Sequence, residues 1–427
     1  MGEIRRLVRG PLLVPRAGGA VDFYPDGVLT ADAGGRLVYV GTWGAGPAGG
    51  DDNLIIERAR GMMMPPLLDI HTHVPQHPIR GRFVEGVPDD APGGKLLAGL
   101  LKNVFPVEAE CDARVRAQIV VREFLRDTLS HGVVGGMVYV TPSPVATEAA
   151  LSILPDTWSV GLVLMNQNCP EYLRTRDATL EADVDRIAGA YGRRLVITDR
   201  FAVAVDAPLR KRGVALAARY GLRTQTHLNE QVLEKRFVEQ TLYPDARSYT
   251  DVYLRDGLLD HNCVLAHCIQ MRDEEWEIVS RTGSAIAHCP TSNLLLGSGV
   301  MPLDQVKSRG IPYAIATDVG ASPTVSMLAE MARFIQVHAG RSAHATPSEA
   351  LYRATLAPSR ILALEDRFGR LEAGRDMSFI EVDCPVIADG ASADDVIRAI
   401  LPTNLDNPLP SVQRVTLAGR TVFERGV

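Results

Sequence analysis

Leu67-Leu68-Asp69-Ile70-His71-Thr72-His73 begins apolar and ends in two histidines one residue apart. On an extended strand, residues i and i+2 point to the same face, so His71 and His73 project together from its carboxyl end. Two imidazoles so placed can grip one metal ion. A lone His-x-His is weak, because histidines are common in cores and on surfaces. Its weight comes from the rest of the chain. Seven more strand-like segments come after 67–71, at 133–140, 160–165, 195–198, 223–227, 263–267, 284–287 and 313–317. Helical patterns separate most of them, as at 113–130, 178–191, 207–219 and 273–282. Strand–helix alternation repeated eight times predicts an α/β fold, a parallel TIM (β/α)8 barrel. Barrel active sites sit at the carboxyl ends of the strands, where the two histidines are.

Three more strand ends carry candidate chemistry. Thr226-His227-Leu228-Asn229-Glu230 ends the fifth strand, Leu265-Ala266-His267-Cys268 the sixth, and Ala316-Thr317-Asp318-Val319-Gly320 the eighth. Each has a plain structural reading as a core histidine bonded to a carbonyl, or a carboxylate that caps or pairs. Together, at strands 1, 5, 6 and 8, they predict a metal centre. His227 is a third nitrogen ligand, Asp318 an oxygen ligand, and Gly320 lets the loop turn sharply. Glu230, three residues beyond His227, can reach over the metal as proton carrier. Three histidines and an aspartate suit Zn²⁺, and Fe²⁺ also fits. Such an ion brings the pKa of a bound water to about 7.

The ends of the chain read differently. Strand-like pieces at 12–14, 27–29 and 36–40 are broken by turn signals at Gly18-Gly19, Gly34-Gly35 and Gly49-Gly50-Asp51, and 44–50 reads as a loop. Helices at 327–338 and 348–362 are followed by strands at 377–382 and 412–423. The expected organisation is a barrel over 65–367 and a small β-sandwich built from both termini, 1–64 and 368–427. The 427 residues suit one barrel with an appended domain. Apolar residues at 46% allow a sizeable core, and a net charge of -6 with 22% charged residues gives no basic face for nucleic acid. The six cysteines show no CxxC spacing and read as free thiols of a reducing compartment. Met1-Gly2-Glu3-Ile4-Arg5-Arg6 lacks a secretory apolar region, and no apolar run reaches the membrane-spanning length of about 20 residues. A soluble, cytoplasmic protein with a small-molecule substrate is expected, with neither nucleic acid nor membrane as partner.

The four strand-end signals resemble the amidohydrolase superfamily, and the match runs over essentially the whole chain. Ala287-His288-Cys289-Pro290-Thr291-Ser292-Asn293 is similar to the seventh-strand segment of its deaminase branch, and Gly374-Arg375-Asp376-Met377-Ser378-Phe379 to that branch's return to the sandwich. Within the branch, several stretches resemble the guanine deaminase family. They are His73-Val74-Pro75-Gln76, Asn103-Val104-Phe105-Pro106-Val107-Glu108, Cys169-Pro170-Glu171-Tyr172, Asp199-Arg200-Phe201 and Thr241-Leu242-Tyr243-Pro244. Departures are Pro65-Pro66 for Pro-Gly, Asn166 for Asp, and Ala202-Val203-Ala204-Val205 where small hydroxyl residues are frequent.

The resemblance implies zinc-dependent deamination of an aminated purine-like ring, guanine to xanthine and ammonia. One metal is implied, since the fourth strand, Leu195-Val196-Ile197-Thr198, lacks the lysine that bridges two metals elsewhere in the superfamily. His71, His73, His227 and Asp318 would be the ligands and Glu230 the proton carrier. His267 would polarise the attacking water, and Asp318 would double as base. Gln76 and Arg200 would hydrogen-bond the base edge and Phe201 would stack on its face. The plain alternatives are a loop-capping amide for Gln76 and a surface ion pair for Arg200. A homodimer is implied as well. Competing readings are a pterin, oxidised-purine or triazine deaminase, a cyclic-amide hydrolase, and an inactive scaffold.

Overall fold

The computed structural model describes residues 4–46, 55–91 and 93–426. The expected turn at Gly49-Gly50-Asp51, residues 47–50 of the expected loop and the first three residues of the opening stretch lie outside these. The described chain divides into two compact units, one of Met1–Leu68, Asp127–Val134 and Ser326–Val427, the other of Asp69–Arg126 and Gly135–Val325.

Eight parallel strands follow one another in chain order around the barrel. They are β1 (Leu67–His73), β2 (Val133–Tyr139), β3 (Trp158–Leu164), β4 (Leu195–Asp199), β5 (Arg223–Leu228), β6 (Cys263–His267), β7 (Ala285–His288) and β8 (Tyr313–Ile315). Each begins and ends within two residues of its expected position. Every residue of β1, β2 and β4 is buried, as strands covered on both faces require. Registers such as His227 opposite Ala266 and Leu228 opposite His267 align the strand ends. The ring closes where Asp318 N–H donates to the His71 carbonyl at 2.9 Å and His73 N–H donates to that of Val319 at 2.6 Å. Gly136 in β2 allows the approach of β1, since a Cβ there would lie 1.7 Å from the Asp69 carbonyl oxygen.

The connecting helices carry ordinary stop and start signals. Ala207–Tyr220 begins on Asp206, whose side chain accepts from Leu209 N at 2.9 Å, and ends on left-handed Gly221. The barrel-fold expectation holds. One helix differs, because 348–362 is two helices, Pro347–Ala354 and Leu356–Ile361. Pro358 has no N–H for the Ala354 carbonyl and its ring crowds that group, so the chain breaks at Thr355 and restarts.

Strands from both ends of the chain share one sheet. In order across it lie Arg420–Glu424, Val412–Leu417, Phe379–Val382, Met62–Met64, Ile4–Pro15, Val21–Asp32 and Leu37–Thr42, with Ile55–Arg58 also pairing Ile4–Pro15. Val8, Leu12, Leu29, Met63 and Phe379 are among its buried core. The single strand expected at 412–423 is a hairpin, turned at Ala418-Gly419 with φ of 46° and 76°. Two positive φ values suit a two-residue hairpin turn, but alanine is not a residue that announces one. The helix Ala393–Ile400, capped by Ser392, was not expected. All six cysteines are free. Among the described residues no helix is long and apolar enough to cross a membrane.

Candidate active site

The strand ends bring the predicted residues together. Asp318 Oδ1 lies 3.2 Å from His71 Nε2 and 3.3 Å from His73 Nε2, and His73 Nε2 lies 3.3 Å from His227 Nε2. A tetrahedral ion with bonds of about 2.0–2.1 Å holds its ligand atoms about 3.3–3.4 Å apart, so these spacings are those of a cage around one ion. His267 is also close. Donor atoms of His71, His227, His267 and Asp318 all lie within 4.8 Å of one another. His267 Nε2 is buried without a hydrogen-bond partner. Buried polar atoms rarely stay so, and a bound ion with its water would supply the missing partner.

The charge states fit the same purpose. Burial pushes the His71 imidazole down to about 4, and burial with the neighbouring imidazoles lowers His227 further below its usual value. Burial opposes ionisation of Asp318, but hydrogen bonds from His71 and His73 and charge from His71 and His267 hold it well below the usual carboxylate range. Neutral imidazoles and an ionised carboxylate are what a borderline cation binds.

A surrounding layer orients these groups. His227 Nδ1–H donates to the Arg200 carbonyl at 2.6 Å, which leaves Nε2 as the bare nitrogen. His267 Nδ1 is 2.9 Å from Asn293 Oδ1. Ser292 Oγ donates to Asp318 Oδ2 at 2.5 Å. Asp69 accepts from the backbone N–H groups of His71 and Thr317 at 3.2 and 3.1 Å and from the Thr317 hydroxyl. The Tyr139 ring packs against those of His71, His73 and His227, with centroids 4.8, 4.6 and 4.9 Å away. Asn229, His267, Cys268 and Asp318 have φ of 51°, 72°, 53° and 54°. Left-handed non-glycine residues cost of order 1–3 kcal/mol each and gather at functional sites.

Glu230 hangs over this cage. Its Oε2 is 3.5 Å from His267 Nε2, and its Oε1 accepts from Ser298 at 3.3 Å. Burial first, then the Asp318 charge, push it up to about 8. Glu234 accepts from the backbone N–H groups of Glu230 and Gln231 at 2.9 and 3.1 Å and so pins the loop.

Beside the cage opens a pocket, which Phe83, Leu96, Leu100 and Leu296 line on its apolar side. Gln76, Arg200 and Phe201 line it too. The surface ion pair does not occur for Arg200, whereas the loop contact of Gln76 does, its Oε1 accepting from the Gly320 N–H at 3.4 Å. Gln76 is 1% exposed and Arg200 2%, and both bond one buried residue, Glu108. Gln76 Nε2 donates to Glu108 Oε1 at 2.8 Å, and Arg200 Nη1 to Oε2 at 2.7 Å. The guanidinium lies 5.1 Å from the centre of the Phe105 ring. Phe201 meets His227 edge to face, centroids 6.3 Å apart. Gly320 serves by closeness rather than by a positive φ, since a Cβ there would lie 2.8 Å from Gln76 Cβ. Sequence reasoning gave Glu108, Asn293, Ser292 and Tyr139 no role. Glu108 and Asn293 stood in segments already singled out, which was the available signal. Asn166 accepts from Asp206 N–H at 3.1 Å, a loop contact.

Comparison with known proteins agrees with this geometry. Residues 62–422 match the amidohydrolase family, and the chain belongs to it. Within that family it is guanine deaminase-like, a hydrolytic deaminase of carbon–nitrogen bonds. It is 30% identical over 422 residues to the guanine deaminase of Escherichia coli (strain K12), covering 95% of this chain and 93% of that one. It is also 30% identical over 364 residues to the guanine deaminase of Mus musculus, covering 79% and 77%. The solved E. coli guanine deaminase superposes with a TM-score of 0.87 at 27% identity, covering 99% of each chain.

Proposed function

We propose that this chain binds one Zn²⁺, or Fe²⁺, and deaminates guanine to xanthine and ammonia. The carrying observation is the cage of 3.2–3.3 Å spacings beside a cavity whose polar edge is Gln76 and Arg200. The full-length likeness to guanine deaminases supports the choice of substrate. His71, His73, His227 and Asp318 would hold the ion. When bound, such an ion lowers the pKa of a coordinated water to about 7. Arg200 donates to the ring carbonyl, Gln76 pairs with the adjacent ring edge, and Phe201 covers one face. That pose sets the amino-bearing carbon, C2, over the cage. His267, its Nδ1–H held by Asn293, accepts a hydrogen bond from the attacking water through Nε2 and steadies the tetrahedral centre. Glu230 takes a proton from the water and delivers it to the neighbouring ring nitrogen. As the new C–O bond forms and the C2–N bond breaks, Asp318 takes the second proton, which leaves with ammonia. Transfer by a positioned acid–base group contributes about 10²–10⁴ in rate.

The test is elemental analysis of the purified protein beside ammonia release from a panel of aminated heterocycles. About one zinc or iron per chain and xanthine from guanine are expected. Two metals per chain would end the single-ion reading. Silence on guanine with turnover of a pterin, oxidised purine or triazine would move the substrate assignment to that ring.

A further inference from the structure

Glu108 touches neither the cage nor the reacting carbon, yet it is fully buried and both its oxygens are spent on the two residues that face the substrate edge. The two partners respond differently to such a neighbour. A guanidinium has donors on every side and no acceptor, so any orientation of Arg200 offers N–H groups to the cavity. A carboxamide has two unlike ends, and a half-turn exchanges them. An ionised carboxylate only accepts, so Gln76 can bond Glu108 only through Nε2. That leaves Oε1 on the other side, where it accepts from the Gly320 N–H at 3.4 Å and keeps a second lone pair. With that lone pair turned to the cavity, the edge would read, in order, donor from Arg200 and acceptor from Gln76.

We propose that Glu108 is a positioning residue that sets the enzyme's choice of ring by locking the Gln76 amide in this donor–acceptor order. The order fits a lactam edge, a ring carbonyl beside a ring N–H. An amidine edge, an exocyclic amine beside a bare ring nitrogen, presents the reverse and meets donor with donor and acceptor with acceptor. The site therefore selects 6-oxo purines over 6-amino purines that carry the same 2-amino group. This deepens the guanine reading and rests on it for the pose.

The probes are guanine and 2,6-diaminopurine, followed both by turnover and by binding to the metal-loaded protein. Wild type is expected to favour guanine by about 10²-fold or more, because a site built around buried hydrogen bonds rejects mismatched partners strongly. Glu108→Gln is nearly isosteric but offers an amide that pairs with Gln76 in either orientation. It should cut the preference below about tenfold, mostly in KM and Kd rather than in kcat, with metal content unchanged. Glu108→Asp keeps an acceptor-only carboxylate and should hold the preference within about threefold even where affinity falls. In a Gln76→Ala background, Glu108→Gln should no longer change the preference. Loss of preference in Glu108→Asp equal to that in Glu108→Gln would make Glu108 a packing residue and overturn the proposal. So would an undiminished effect in the Gln76→Ala background. Should Glu108→Gln not fold, Glu108→Asp and Gln76→Ala still decide, since the first must keep the preference and the second must lose it. Failure of wild type to release xanthine while binding still favours guanine in a Glu108-dependent way would sink the reaction and leave the selection standing.

Discussion

The two sides of the cavity are built on opposite plans. On the cage side, His267 Nε2 is buried with no hydrogen-bond partner, and the Nε2 atoms of His71 and His73 crowd a single oxygen of Asp318. On the proposed substrate side, the amide of Gln76 and the guanidinium of Arg200 are both bonded to Glu108. The reason is chemical. A borderline ion needs neutral nitrogens with an open lone pair, and outside supports such as the Arg200 carbonyl and Asn293 turn the Nε2 atoms of His227 and His267 inward. A flat ring is read by the direction of its donors and acceptors, so the readers must be turned to one answer and kept there. Incompleteness serves capture on one side, and completeness serves discrimination on the other.

This contrast can be broken at three strengths. The largest effect is expected at the cage. His71→Ala removes a proposed ligand, and because metal activation of water supplies several kcal/mol, activity should fall by about 10³-fold or more together with metal content. Elemental analysis and xanthine formation check it, and a variant that keeps both would take His71 out of the ligand set.

Glu230→Gln is next. The amide retains shape and hydrogen bonding but cannot carry a proton. Metal content should hold while kcat drops by about 10²–10⁴. Near-full turnover would place the proton transfer elsewhere.

Arg200→Ala is the mildest for chemistry and the one the structure sharpens. The His227 contact is to the Arg200 backbone, so the metal should stay. Losing one charged hydrogen bond to substrate should cost about 1.5–3 kcal/mol, a fall of about 10–150-fold in kcat/KM. The substitution also strands buried Glu108, which should cost about 3–5 kcal/mol of stability. A thermal melt read beside kinetics separates the two. An unchanged kcat/KM would remove Arg200 from the substrate edge, and an unchanged melting temperature would show that Glu108 is relieved another way.

Sequence reading reached the cage because its logic is local. The strand period of two puts His71 and His73 on one face, and the end of a barrel strand is where a ligand can act. It reached Gln76 and Arg200 only by resemblance, and it left their surroundings open. Glu108 is 32 residues from Gln76 and 92 from Arg200, and no periodicity links residues so far apart. Asn293 is invisible as a support of His267 for the same reason, being 26 residues away. The misread helix and hairpin were local failures. Pro358 broke a pattern whose apolar spacing continued past it, and Ala418 took a turn conformation usually left to glycine or asparagine.

The shared sheet has a consequence for how the protein is made. Met62–Met64 lies between Ile4–Pro15 and Phe379–Val382, so one of its neighbours emerges early in synthesis and the other more than 300 residues later. At about 5–20 residues per second, translation leaves that strand half-paired for roughly 15–60 s. An open, wholly apolar strand edge is a template for unwanted pairing. The ribosome must therefore deliver everything from residue 65 to residue 378 before the sheet can be closed, and a nascent chain halted before residue 379 is born with a sticky seam.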